Sequence, residues 1–213
     1  MSKKQKVLSL ISGGIDSPVA SYLMHKQGYD VEFVFFYSEP YMPPQNREAA
    51  EAMVKQLKKI MNKKELTFHI VPYGNVLKSI STECPANLRC ILCRRMMFRI
   101  ASEIAKQRKC KALVTGENLA QVASQTLPNM VLAHKASKLP ILNPLLGADK
   151  NETTDIARQI KTFEIAKEHS CCGLVPKNPR TKGRDYEIQE AEQALDIEKL
   201  VSNAFNTMKT ETI

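Results

Sequence analysis

The chain has 213 residues, with 31 Lys and Arg against 22 Asp and Glu, and a formal net charge of +9. Hydrophobic residues make up 43% and charged residues 25%, the balance of a globular protein rather than a disordered one. No apolar run approaches the roughly 20 residues of a membrane span. The opening MSKKQKVLSLIS has too short an apolar core for a secretory signal. One domain, with a small appendage, is therefore expected in the cytoplasm, and the basic excess favours a polyanionic partner, nucleic acid first.

Residues 7–11 form a continuous apolar run, read as a buried strand. Residues 17–27 read as a helix, with Pro18 in its first turn and Gly28 near its end. The run VEFVFFY, 31–37, is a second buried strand; 46–61 has helical periodicity; 66–71 is a third strand. Residues 94–108 form a strong helix with Met97, Ile100, Ala101, Ile104 and Ala105 on one face. A short strand at 112–115 is followed by Gly116, and 139–142 is a weaker strand between prolines. Segments 152–159 and 186–208 read as helices, and the polar stretch 177–184 is the one boundary. Strands alternating with helices at this spacing predict an α/β fold, a doubly wound parallel sheet with helices on both faces. Such sheets bind ligands beyond the carboxyl ends of their strands. The loops 12–17, after Tyr37, and 116–125 all follow strands and converge there.

Ser12-Gly13-Gly14-Ile15-Asp16-Ser17 joins the first strand to the first helix. Two glycines permit a turn with positive φ and bring backbone N–H groups close to an anion. The helix start adds its dipole and free N–H groups, and Ser12 and Ser17 add hydroxyls. Asp16 suits Mg²⁺ bridging phosphates. A plain turn capped by Asp is the alternative. Neither Gly-Lys-Ser/Thr nor GxGxxG is present. SGGxDS after a first strand resembles the PP-loop of ATP pyrophosphatases, an adenine nucleotide alpha-hydrolase-like fold. The resemblance implies ATP cleavage between the α and β phosphates, with adenylation of a substrate oxygen.

Further along, "RRMMFRIA", "ALVTGENLAQVASQTLPNM", "PLLGADKNE" and "CCGLVPKNPRTK" follow in order. With the phosphate loop they resemble the tRNA 4-thiouridine synthetase family, which also serves sulfur transfer in thiamine biosynthesis, over roughly residues 6–183. The resemblance implies that Leu10 and Ile11 flank the nucleotide and that Phe35 and Phe36 lie near the adenine. It implies that Arg94 contacts nucleotide or RNA phosphate, and that Gly116 and Gln125 touch ATP. Lys150 would steady the adenylation transition state, where its charge suits developing phosphate charge; a solvated lysine at a helix start is the alternative. Glu117 and Asn118 read as an ordinary helix cap.

The cysteines are Cys84, Cys90, Cys93, Cys110, Cys171 and Cys172. Without a secretion signal, no disulfide framework is expected. Cys90-Ile-Leu-Cys93 stands before a predicted helix among Arg89, Arg94 and Arg95, which favours thiolates. Cys172 aligns with the family's catalytic cysteine before Gly, with Cys171 as its rival. Archaeal relatives with CxxC imply that Cys90, Cys93 and Cys172 hold an iron–sulfur cluster, [4Fe-4S] or [3Fe-4S], with one iron open to carry sulfide. A redox or persulfide pair involving Cys172 and a structural zinc are the alternatives. Cys84 and Cys110 read as buried thiols, and His25, His69, His134 and His169 have no metal pattern.

Family members carry an RNA-binding module ahead of the PP-loop, but here the loop begins at residue 12. The expectation is a PP-loop domain over 1–183 and a C-terminal helical extension over 184–213. Lys55, Lys58, Lys59, Lys63 and Lys64, or Lys177, Arg180, Lys182 and Arg184, would then supply phosphate contacts, unless they are solvated faces. A homodimer or a separate RNA-binding protein would add tRNA recognition. The sulfur donor would be sulfide or a protein of the cysteine-desulfurase type.

Overall fold

The computed structural model describes residues 4–166 and 172–213. Its six strands are β1 (Lys6–Leu10), β2 (Asp30–Tyr37), β3 (Thr67–Pro72), β4 (Ala112–Val114), β5 (Ile141–Leu142) and β6 (Lys209–Thr212), in spatial order β5-β4-β1-β2-β3-β6. The first five run parallel, and β6 pairs antiparallel with β3. The helices are α1 (Asp16–Lys26), α2 (Gln45–Ile60), α3 (Gly74–Glu83), α4 (Arg89–Arg108), α5 (Leu127–His134), α6 (Lys150–Gln159), α7 (Phe163–Ala166), α8 (Asp185–Gln193) and α9 (Ile197–Asn206).

Parallel strands covered on both faces read as unbroken apolar runs, and β2 follows that rule from Val31 to Phe36. Alternate side chains enter two cores. Leu8, Val34, Phe36, Val71 and Leu113 pack under α3, α4, α5, α8 and α9. Val7, Phe33, Phe35, Phe68 and Val114 pack under α1, α2, α6 and α7. The doubly wound layout is the expected one, with an antiparallel edge strand added. The chain crosses from β3 back past β1 to β4, so the switch point, where such folds bind ligands, lies between β1 and β4.

Three element boundaries differ from expectation. Helix α4 starts at Arg89, after a 3-10 turn at Ala86–Leu88, so the CxxC lies inside its first turns rather than before it. Ile91 and Leu92 extend the buried stripe of the helix and draw those turns into it. The predicted helix 186–208 breaks at Leu195, because Asp196 turns inward on the backbone and its carboxylate accepts from Lys199 N–H at 3.1 Å, capping α9. The final residues form β6 rather than closing the helical extension expected over 184–213, and Leu66 and Ile213 exchange backbone hydrogen bonds at 2.9 Å. Among the described residues, no helix is long and apolar enough to cross a membrane.

Candidate functional site

The loop after β1 closes on its own hydroxyls. Ser12 N–H donates to Ser17 Oγ at 2.8 Å, the two hydroxyls lie 3.0 Å apart, and Gly14 N–H donates to Ser12 Oγ at 3.2 Å. Helix α1 begins at Asp16 with no side-chain cap, so its first N–H groups face the loop unsatisfied by protein side chains. The positive φ expected of Gly13 or Gly14 is not used; the glycine with positive φ is Gly28, at 93°, ending α1. The hydroxyl contacts hold the turn instead. Across the switch point Gly116 stands so close that a Cβ there would lie 2.5 Å from Ser17 N and 2.6 Å from Asp16 C. No helix starts at 117; a 3-10 turn at Ala123–Gln125 follows instead.

A cavity of about 380 Å³ opens at these loops. Leu10, Ile11, Ser12, Gly14, Asp16, Ser17, Phe35, Phe36, Arg94, Gly116 and Gln125 line it, which is every nucleotide residue named from the sequence except Gly13. The strand ends bring Phe35 and Phe36 there although they belong to opposite cores. Met42, Met97, Phe98, Thr115 and Glu117 also line the cavity and were missed. Lys150 is not in the wall, but it opens α6 and its charge acts on Asp16. Burial raises the Asp16 carboxyl, and Lys150 pulls it back. A part-buried carboxylate beside the phosphate loop fits a Mg²⁺ that bridges phosphates.

Glu117 and Asn118 do not cap a helix. Asn118 donates to the Ala148 carbonyl at 2.9 Å. Glu117 is 1% exposed and sits in a polar network with Arg94, Thr115, His134 and Asn143. Its partners come from distant segments, so no local pattern announces it. His134, given no role from the sequence, belongs to this network; His169 lies outside the described residues.

On α4, Cys90, Cys93, Arg94, Met97 and Phe98 share one stripe at i, i+3, i+4, i+7 and i+8. Met97 and Phe98 line the cavity, so Cys93 stands one turn away, roughly 6 Å along the axis. Cys172 packs against the same core as Cys93, its loop fixed by Gly173 N–H donating to Tyr41 O at 2.8 Å and Arg89 Nη1 to Leu174 O at 2.9 Å. Burial pushes the Cys93 thiol up to about 12; the Tyr73 hydroxyl opposes this, while Cys172 and Cys90 add to it. The expected thiolate stabilisation by arginines is outweighed at Cys93: Arg94 lowers the thiol only a little against burial, and Arg89, Arg95 and Arg94 are drawn to Leu174, Glu192 and Glu117. Two thiols from one helical turn and a third from an adjacent loop match the donor chemistry of a three-cysteine cluster. Among the described residues, though, no three His, Cys, Asp or Glu side chains gather closely enough to hold a metal ion; Cys171 lies outside them. Cys84 and Cys110 are buried, as expected.

Part of the basic clusters is neutralised. Lys55 pairs with Glu51, Lys63 with Asp30 and Arg180 with Glu187. Lys55, Lys58, Lys59 and Lys63 nevertheless line one groove at the amino-terminal edge of the parallel strands, opposite the cavity.

Comparison with known proteins supplies the lineage. The chain is similar to proteins named probable tRNA sulfurtransferase from Caldanaerobacter subterraneus subsp. tengcongensis (41% identity, covering 93% of this chain and 52% of the relative) and Acetivibrio thermocellus (40%, covering 98% and 53%). It thus spans about half the length of these curated relatives. It superposes with a TM-score of 0.93, at 36% identity, on a 4-thiouridine synthetase crystallised as an RNA complex with bound ATP, covering 98% of this chain and 55% of that one. NMN synthetase from Francisella tularensis, at 11% identity and a TM-score of 0.57, shares the fold. With the model of the thiamine biosynthesis protein family, ThiI, matching residues 2–197, the phosphate loop and the motifs around it have a common origin: this chain belongs to the ThiI family.

Proposed function

We propose that this chain is the ATP-using part of a tRNA uridine 4-sulfurtransferase, with residues 1–183 carrying the chemistry and 184–213 bracing it. The observation that carries this reading is the cavity itself, which gathers side chains from positions 10 to 125 around an uncapped helix start and a part-buried acid. ATP phosphates would lie along Ser12–Ser17, with the base towards Phe35 and Phe36. Asp16 would hold Mg²⁺, which when bound neutralises phosphate charge. The C4 oxygen of a uridine attacks the α-phosphorus, the bond to the β-phosphate breaks and pyrophosphate leaves. Lys150 stabilises the charge that develops. A sulfur nucleophile held near Cys172 then attacks C4, and AMP departs with the oxygen.

Cys90, Cys93 and Cys172 would hold the iron–sulfur cluster, which when bound supplies an open iron for sulfide; Cys93, one turn from the cavity and near enough to feel both Cys172 and Cys90, supports this. The basic clusters would contact tRNA phosphates. A homodimer or a separate RNA-binding protein would complete tRNA recognition, and sulfide or a desulfurase-type protein would supply sulfur in the cytoplasm. The test is an anaerobic reaction with ATP, Mg²⁺, sulfide and tRNA, scored for AMP and 4-thiouridine. Both products should form together and vanish in Asp16→Ala. Pyrophosphate release stimulated by a small acceptor and not by tRNA would assign the enzyme to another acceptor.

A further inference from the structure

In the cavity wall, the Glu117 carboxylate is held by its neighbour Thr115 and by residues from three other segments of the chain. Its Oε2 accepts from Thr115 Oγ1 at 2.9 Å and Asn143 Nδ2 at 2.9 Å, and lies 2.8 Å from His134 Nε2. Asn143 Nδ2 also reaches Thr115 Oγ1 at 2.6 Å, and the His134 ring meets Phe98 edge-on at 5.4 Å. The other oxygen, Oε1, makes no hydrogen bond and meets the Arg94 guanidinium as an ion pair, with Nη2 at 2.6 Å.

A buried carboxylate without partners is costly. Three donors on Oε2 already meet much of that need, so Arg94 adds something beyond satisfaction. Its side chain is 26% exposed and lines the cavity, and its guanidinium lies 5.7 Å from the Phe98 ring centroid. An arginine presents its donors in a rigid fork, so the ion pair at Nη2 sets the direction of the whole guanidinium, which lines the cavity. A phosphate oxygen is the acceptor such a donor matches. Glu117 itself stays ionised: burial works against the charge, but Arg94 first and then His134 hold it down to about 2. It is therefore a poor base at neutral pH.

We propose that Glu117 is a positioning residue: clamped by Thr115, His134 and Asn143, it aims the Arg94 guanidinium so that its cavity-facing N–H groups meet a phosphate oxygen of the bound nucleotide. This rests on the nucleotide reading of the cavity. A double-mutant cycle on the full chain separates positioning from mere packing. The dissociation constant of a non-hydrolysable ATP analogue is measured by calorimetry, with Mg²⁺, for wild type, Arg94→Ala, Glu117→Gln and the double variant. Each single change should weaken binding by about tenfold, the worth of one charged hydrogen bond. The double variant should be no weaker than Arg94→Ala alone. Losses that multiply in the double variant, or a Glu117→Gln that binds like wild type, overturn the proposal. Should Glu117→Gln fail to fold, Asn143→Ala replaces it in the same cycle and must show the same dependence on Arg94. A wild-type chain that does not bind the analogue removes the nucleotide reading and this inference with it, whereas binding with a multiplicative cycle removes the inference alone.

Discussion

Glu192 on α8 grips Arg95 on α4 through two parallel hydrogen bonds, 2.7 Å from Nε and 2.9 Å from Nη2. Arg99, one turn on, reaches the same carboxylate at 2.6 and 2.8 Å. The C-terminal helices are thereby tied to the helix that carries the cysteines and Arg94. Removing one member of a mostly buried ion cluster leaves charges unpaired. Glu192→Ala should lower stability by roughly 3 kcal/mol, read as a lower urea midpoint. An unchanged midpoint would mean that α8 is held by its apolar face alone.

Gly116 leaves no room for a side chain, since the atoms a Cβ would strike are backbone atoms of the phosphate loop. Gly116→Ala should push Ser17 and Asp16 out of place, weakening the ATP analogue at least tenfold and costing about 1–3 kcal/mol of stability. Titration of the variant with the analogue, beside its melting curve, checks both effects. Full affinity would show that the loop yields without cost.

Lys150 acts on Asp16 without lining the cavity. A charge used in the transition state more than in the ground state lowers kcat when removed and leaves binding nearly unchanged. Lys150→Ala should slow AMP formation by roughly a hundredfold with little change in ATP affinity. Equal losses in both would assign it to ground-state binding.

Glu32 links four strands at the edge of the sheet opposite the cavity. Arg108 donates to it at 2.8 and 3.0 Å, Lys6 lies at 2.6 Å, and His69 at 3.3 Å connects it to Thr210 on β6. Burial opposes its charge, but His69, Arg108 and Lys6 outweigh that and hold it well below the ordinary 4.5. A lowered folded value stabilises the protein above the ordinary value and ceases to do so as acid protonates the folded carboxylate. Stability should therefore fall as pH drops below about 4.5, and Glu32→Gln should flatten that acid limb in denaturation curves taken from pH 7 to 3. An acid limb as steep as wild type would place the sensitivity elsewhere.

Protein purified without oxygen should carry iron and acid-labile sulfide, and lose both in Cys90→Ala, Cys93→Ala and Cys172→Ala. Colourless, iron-free protein that still thiolates tRNA would move sulfur handling to a persulfide on Cys172.

The cavity wall was legible because its carriers are local: a glycine turn after an apolar run, a Phe pair ending a strand, a glycine ending another. The two inner faces of β2 were legible from unbroken apolar sequence. Strand β6 was not, since Lys-Thr-Glu-Thr is polar and half exposed, and its pairing depends on β3, far away in sequence. Helix α3 was passed over because Gly74 and its serines weaken the helical signal, while burial of Val76, Leu77 and Ile80 overrides them. Glu117 was mistaken for a cap because its partners at 94, 134 and 143 meet only after folding.

The single stripe on α4 turns the helix into a ruler between the CxxC cysteines and the cavity. Each residue turns 100° and advances 1.5 Å, so the distance and bearing from Cys93 to Met97 are fixed by count rather than by flexible chain. Surface substitutions along α4 should be tolerated. One inserted residue between Cys93 and Arg94 would swing both cysteines a quarter-turn or more around the axis, leaving each half of the site intact and the two unable to face each other.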